Sequence, residues 1–452
     1  MSDTQKNVTR RDFIKAGAVA SAAVATGLLN VPFVHAAGSE TIRVGVIGCG
    51  GRGTGAAKNV LQSAKDVQIV ALADVFKKRT SDAKQELEGF ATKDDKVKEL
   101  GNSVKLTEDA CYTGLDAIRN LIQDKNVNYV ILATPPGFRP VCIQECVAAR
   151  KNFFTEKPVA ADGTGIRKVL DAFEDAKKQG LHIAAGTQRR HQLGYIETMK
   201  RVHDGELGDI GTMHCAWNNS HDIWFRPRSE LKDFLGVEDS DLAYQLHNWY
   251  HFLWLCGDHI NEQHVHNLDV CNWAMNGHPV RAVGYGGRFA RAGGDPQQRG
   301  NIWDNFSVVY EYQGKNKQTV PMYSTCSMIE GTPSDVSEAF TGTKGFCQAN
   351  HYLINGKRVL TREQDKASTD PYVQEHTDLI ASIRGSKPLN ELENVAFATL
   401  TAIMGRMSAY TGKPITWEQA LKTKQNTFPD KLSWNMKLEV PPVPVPGTTV
   451  LD

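Results

Sequence analysis

The sequence predicts an α/β fold with a parallel, doubly wound sheet at its N-terminal end. Two observations carry this prediction. Short apolar runs alternate with helix-forming segments between residues 41 and 155, the order that a parallel sheet with crossover helices requires. The first run leads straight into Gly48-Cys49-Gly50-Gly51-Arg52-Gly53, a G-x-G-x-x-G turn, and the second ends in an acid, Asp74. Strand, glycine turn, helix, strand and carboxylate in this order describe a Rossmann dinucleotide-binding domain, placed at 40–165.

Residues 1–36 precede it. They contain Thr9-Arg10-Arg11-Asp12-Phe13-Ile14-Lys15, an Ala/Val/Gly/Leu-rich run over 16–29 and a small-x-small exit at Val34-His35-Ala36. A charged start, a short apolar middle and a small-residue exit describe a twin-arginine signal peptide. The run is too short and too rich in alanine and glycine to span a membrane, and no later stretch is long enough for stable insertion. The expected destination is the periplasm or another extracytoplasmic space, reached through the twin-arginine export machinery, which moves folded proteins.

The chain has 52 basic and 51 acidic residues; without the leader's four basic and two acidic residues it stands at net −1. No long basic run remains, which argues against nucleic acid or acidic membrane surfaces as partners. Nine cysteines are scattered, odd in number and without a C-x-x-C pair, the pattern of neither a disulfide framework nor a zinc site. No metal is expected.

The first strand is placed at 41–47. Gly48, Gly50, Gly51 and Gly53, with Arg52 among them, allow a tight turn and a close backbone approach to a pyrophosphate on the N-terminus of a helix over 54–65. Residues 67–73 form the second strand. Asp74 follows where a carboxylate accepts hydrogen bonds from ribose hydroxyls, which favours NAD; Lys77, Lys78 and Arg79 leave room for NADP. A third apolar strand, 127–133, opens into Thr134-Pro135-Pro136. A helix over 140–151 and a short strand over 152–155 then lead to Glu156-Lys157-Pro158. Ligands of parallel sheets bind at the carboxyl ends of strands, so Thr134, Pro135, Glu156 and Lys157 are expected at the cofactor, with Lys157 facing its nicotinamide half. On position alone, a loop lysine paired with Glu156 is the alternative.

The glycine turn, "ATPP" and "EKP", followed by "GDHINEQHVHNLDVCNWAMNG", "EHTDLIASIRGSKP" and "NVAFATLTAIMGRMSAYTGK", resemble the glucose–fructose oxidoreductase/inositol dehydrogenase/rhizopine-catabolism (Gfo/Idh/MocA) family over nearly the whole chain beyond the leader. The resemblance implies a second α/β domain, 166–430, with an open, mostly antiparallel sheet, and an active site between that sheet and the nicotinamide. It makes Lys157 the catalytic lysine and His266 the motif histidine, with a cis peptide before Pro158. The family's aspartate is replaced by Glu262, four residues before His266, so both are expected on one helix face. Such a set suits alcohol oxidation: hydride leaves carbon while the hydroxyl proton goes to His266 or Lys157, and Lys157 stabilises the alkoxide. Arg139, where many members have histidine, holds either a substrate group or the loop backbone. Open sheets in this family commonly pair, so a homo-oligomer is expected.

Nine aromatics lie between Trp217 and Trp254, among them Trp224 and Trp249, interspersed with hydrogen-bonding side chains. Flat rings with polar neighbours suit a carbohydrate substrate, and equally suit an oligomer interface. "GTQRRHQLGY" places Gln188, Arg189 and Arg190 near cofactor or substrate. His264, with Glu262 and His266, has a metal-site alternative, against which structural histidines are preferred; Asp269 is expected to pack or support rather than react. The Pro-rich end, 431–452, reads as an extended arm.

Three functions follow. The first is an NAD(P)-dependent oxidoreductase acting on a sugar, polyol or sugar derivative. The second is a hydrolase that oxidises its sugar transiently, and the third a binding protein with a vestigial nucleotide fold. Export of a folded enzyme away from the cytoplasmic nucleotide pool favours a cofactor that is tightly bound and recycled.

Overall fold

The computed structural model describes residues 41–221, 223–289, 295–385 and 387–450; the leader at 1–36 lies outside the described residues. The N-terminal sheet is wholly parallel. Its strands are β1 (Ile42–Ile47), β2 (Val67–Asp74), β3 (Ser103–Val104), β4 (Cys111–Thr113), β5 (Tyr129–Leu132), β6 (Asn152–Thr155) and β7 (Ile183–Ala185). They run in the order β3-β2-β1-β5-β6-β7, with β4 also on β2. Helices cover both faces, so β1 and β5 are buried almost throughout and need near-continuous apolar runs, IRVGVI and YVIL.

The sheet continues past the expected boundary at 165. The helix Gly163–Gln179, capped by the Asp162 carboxylate on Gly165 N at 2.7 Å, is the crossover into β7. A strand of three residues is too short to read from periodicity, and the distant Asn390 flanks it through a parallel bridge to Ile183. The first domain therefore borrows from the far end of the chain.

The second sheet comprises β8 (Ile210–Asn219), β9 (Arg281–Gly287), β10 (Asn305–Gln313), β11 (Thr319–Met328), β12 (Asp335–Gly342), β13 (Gly345–Gln348), β14 (Leu353–Ile354), β15 (Lys357–Arg358) and β16 (Ile415–Thr416). Their order is β15-β14-β13-β12-β8-β11-β10-β9-β16, and every neighbouring pair is antiparallel except β8 with β11. Along β10 and β11 buried residues alternate with more exposed ones, the signature of a sheet covered on one face. The covering helices are Val265–Met275 and Leu392–Thr411. The second is buried almost all round because it also packs on Gly163–Gln179, joining the two layers. On the other face Tyr285 and Tyr323 are exposed.

The Pro-rich end is an extended strap, as far as residue 450. Trp303 Nε1 donates to the Pro444 carbonyl at 3.1 Å, and Gln297 exchanges two hydrogen bonds with the Val440 backbone, at 2.9 and 3.0 Å. No helix among the described residues is long and apolar enough to cross a membrane.

Candidate active site

A cleft of about 620 Å³ opens at the carboxyl ends of β1, β2, β5 and β6. Gly48, Gly50, Gly51, Arg52, Gly53, Asp74, Thr134, Pro135, Glu156 and Lys157 line it, together with Arg139, Gln188, Trp224, Trp249, Glu262 and His266. Residues from Ile47 to Tyr372 thus meet at one place.

Two of the glycines are sterically obligatory. Gly48 has φ +89°, and a Cβ there would meet the Ala133 carbonyl oxygen at 2.6 Å. A Cβ on Gly53 would lie 1.8 Å from the Gly48 oxygen, so the first helix packs on the turn only if residue 53 has no side chain. Gly51 has open space and is not required by packing. The helix spans Gly51–Leu61 rather than 54–65: it begins inside the glycine motif, which brings its free N–H groups to the cleft. Gly50 supplies no side-chain cap, and the first turn carries no acid. That end is left open for an anion, so the residues present fit a dinucleotide pyrophosphate.

At the end of β2, Asp74 accepts hydrogen bonds from Cys49 N at 2.8 Å and Phe76 N at 3.0 Å. Burial raises its pKa above 3.8, opposed by the nearby Arg79 cation. Arg79 lines the cleft too, so this end of it carries an acidic and a basic side chain close together.

Arg52 does not point freely into the cleft. Its Nε is ion-paired with Glu156, its second terminal nitrogen lies 3.1 Å from Glu375, and the guanidinium sits 4.6 Å over the Tyr372 ring. Glu375 and Tyr372 belong to the helix Pro371–Arg384, and nothing in their local sequence signals this role. Burial, with the neighbouring Glu156, pushes the Glu375 carboxyl well above its usual range against the pull of Arg52.

At the other end the Lys157–Pro158 peptide is cis. Lys157 Nζ donates to the Glu262 backbone carbonyl and lies 3.6 Å from Glu262 Oε1. Burial lowers the lysine from 10.5 and raises the glutamic acid from 4.5, and their mutual attraction opposes both shifts. Among the described residues Glu262 Oε2 has no hydrogen-bond partner. His266 stacks on Trp217, ring centres 5.6 Å apart, and burial followed by the cations Lys157, Arg189 and Arg52 holds its pKa well below 6.5. Arg139 donates to the Pro158 carbonyl, so it fastens the loop backbone that carries the lysine.

Two expectations are corrected. Glu262 and His266 do not share one helix: the chain breaks after the helix His259–Glu262 and restarts at Val265, and the two side chains converge on the cleft from consecutive helices. Arg189 is not a cleft residue. Its guanidinium is buried in an ion pair with Glu338 and lies 5.9 Å from the Trp217 ring centre, backing the tryptophan that His266 stacks on. Glu338, on β12, is itself held by Tyr195 Oη at 3.0 Å and Asn267 Nδ2 at 2.7 Å.

The neighbours divide in the same way. Arg190 grips Asp269 through three hydrogen bonds of 2.8–3.1 Å. His264 turns to the sheet, 2.6 Å from Ser324 Oγ and 3.6 Å from Cys215 Sγ. Gln188 reaches the cleft with its Oε1 unpartnered among the described residues. Trp224 and Trp249 meet edge-on at 6.4 Å. Sequence reasoning missed Phe76, Gln263, Leu246 and Tyr372 as lining residues; each is an ordinary packing residue until the fold brings it there.

Comparison with known proteins agrees with this fold. Residues 42–184 match a family model described as the NAD-binding Rossmann fold of the Gfo/Idh/MocA oxidoreductases. Residues 1–36 match a model of the twin-arginine signal of ubiquinol–cytochrome c reductase iron–sulfur subunits. Inositol 2-dehydrogenase 1 of Saccharopolyspora erythraea is 28% identical over 185 residues, 41% of this chain and 48% of the relative. The chain spans about half the length of the curated relatives it matches. Two solved structures share the fold. Scyllo-inositol dehydrogenase from Lactobacillus casei, with bound NAD(H) and scyllo-inositol, is 16% identical with a TM-score of 0.56, over 84% of this chain and 100% of that one. Aldose-aldose oxidoreductase from Caulobacter crescentus, complexed with glycerol, is 15% identical with a TM-score of 0.59, over 83% and 100%.

Proposed function

We propose that this chain, whose residues 42–184 match the NAD-binding Rossmann fold of the Gfo/Idh/MocA oxidoreductases, oxidises a secondary hydroxyl of a polyol, sugar or sugar derivative with an NAD that it retains and recycles outside the cytoplasm. The observation that carries this proposal is the convergence of Lys157, Glu262 and His266 on the same cleft as the glycine turn. Relatives that are inositol dehydrogenases support a polyol-like substrate.

Bound NAD supplies the hydride acceptor. The protein must take the hydroxyl proton and steady the oxygen left behind. His266 is neutral at neutral pH because burial and the surrounding cations disfavour imidazolium, so its ring is available as the proton acceptor. Lys157 Nζ, 3.6 Å from Glu262 Oε1, faces the developing alkoxide. Glu262, with one oxygen near the lysine and the other unpartnered, is placed to accept a hydrogen bond from a substrate hydroxyl. Trp224 and Trp249 offer their rings to the apolar side of a carbohydrate. Asp74 favours NAD, and Arg79 beside it leaves NADP a weaker alternative. The twin-arginine signal supports an extracytoplasmic destination, and the open sheet face with Tyr285 and Tyr323 supports a homo-oligomer.

The purified protein, given inositols or aldoses in heavy-oxygen water with no added nucleotide, tests the assignment. A ketone or lactone that forms only when a second carbonyl compound is supplied is the expected result. Heavy oxygen entering sugar released from a glycoside, with no ketone, would instead mark a redox-neutral hydrolase.

A further inference from the structure

The adenosine end of the cleft has a second wall that the Rossmann domain does not supply. Residues 223–251 leave the end of β8 and loop back to the helix Leu253–Cys256. The neck of this loop is closed by a reciprocal pair: Arg226 N donates to Asn248 Oδ1 at 2.9 Å, and Asn248 Nδ2 donates to the Arg226 carbonyl at 3.0 Å. Inside it, Arg228 bridges Asp239 at 2.6 Å and Asp241 at 2.8 Å. The loop is therefore a built body with its own short helices, Glu230–Leu235 and Asp241–His247.

This body meets the first domain at the stretch just after β2. Lys78 Nζ lies 5.0 Å over the Phe234 ring, and His247 packs edge-on against Phe76 at 6.4 Å. Arg226 and Leu246 line the same cleft as Asp74 and Arg79. The C-terminal strap ties the body down: Gln245 Nε2 donates to the Leu438 carbonyl at 2.7 Å, and Trp434 packs on Phe76 at 6.3 Å. Phe76 is thus held between His247 and Trp434, two residues after the carboxylate placed at the ribose.

We propose that residues 223–251, secured by the C-terminal strap, form a clasp over the adenosine half of the dinucleotide and make it a resident group rather than an exchanging one. This rests on the assignment of the cleft to NAD. The glycine turn and Asp74 form one side of the adenosine site; the clasp forms the other. A nucleotide leaving the cleft must first part Phe234 from Lys78 and His247 from Phe76. Such contacts act mainly on the dissociation rate. The same clasp carries Trp224 and Trp249, so substrate and cofactor meet one segment of chain.

The test loads the mature protein with NADH, adds excess NAD and follows the loss of bound-nicotinamide fluorescence. Phe234→Ala removes a half-exposed ring from the clasp, and Trp434→Ala loosens the strap; thermal melting checks that each variant is folded. Release faster by roughly tenfold or more, a change of about 1.4 kcal/mol in the barrier, is expected for Phe234→Ala, and faster again for the double variant. Should Trp434→Ala fail to fold, Phe234→Ala decides alone. Wild type that binds NADH but releases it no more slowly than Phe234→Ala overturns the clasp and leaves the NAD assignment standing. Wild type that binds no nucleotide overturns both.

Discussion

The two ends of the cleft are built by different means. At the nucleotide end the chain offers mostly main chain: a glycine at φ +89°, a second glycine with no room for a Cβ, and an uncapped helix N-terminus. Asp74 itself braces that main chain through Cys49 N and Phe76 N. At the other end, where we propose the reaction takes place, three buried ionisable side chains converge, Lys157 and Glu262 moved toward neutrality by burial and His266 shifted well below its usual range. Backbone recognition tolerates no bulk; side-chain chemistry tolerates no change of functional group. Substitutions at the two ends should therefore fail differently, one set in binding and the other in turnover.

The largest effect separates them most cleanly. Lys157→Met and His266→Ala should each slow turnover by about two to four powers of ten, the scale of a lost acid–base group, while nucleotide binding persists. Steady-state rates beside an NADH titration check this. Near-wild-type turnover in either variant would make that residue structural. Asp74→Ala should act on binding alone, shifting the NAD-to-NADP preference by roughly tenfold, the order of one charged hydrogen bond lost. Calorimetric titration of both nucleotides reads it, and a wild type that prefers NADP would contradict the role given to Asp74.

The smallest effect concerns the joint between the two ends. His191 closes the turn that carries Gln188 to the cleft, 2.7 Å from Asp378 and 3.3 Å from Glu391. Burial opposes its charge, but Glu391 and Asp378 outweigh it and raise its pKa from 6.5 to about 10. A raised pKa means that the folded state holds the proton more tightly than the unfolded one. The stabilisation is complete below 6.5 and fades as pH rises through about 10. His191→Gln should flatten the fall of melting temperature across that window. An equal fall in the variant would assign it to other groups.

The same contrast explains what the sequence disclosed. Backbone demands leave local signatures: only glycine fits at 48 and 53, and the strand before and the acid after can be read by eye. The ends of β5 and β6 were legible for the same reason, since apolar runs stop at Thr134 and Glu156. The place of Lys157 in the cleft follows from its position after a strand, but a reactive role for it or for His266 is expected only through resemblance, because a lysine or histidine has no local pattern that marks it as reactive. The break between Glu262 and His266 escaped a spacing argument, which assumes one continuous helix. Arg189 misled because its partner Glu338 lies 149 positions away, and no local rule pairs them. Tyr372 and Glu375 escaped for the same reason: their role exists only once the helix Pro371–Arg384 docks beside the glycine turn.

Native mass spectrometry of the mature protein, purified from its exported form without added nucleotide, tests the central claim most directly. The account predicts a mass excess of one NAD per chain that survives prolonged dialysis, and that converts to the reduced form when a polyol substrate is added and back again when a carbonyl acceptor follows. Protein that emerges empty, and turns over only while NAD is supplied in stoichiometric amounts, would contradict it.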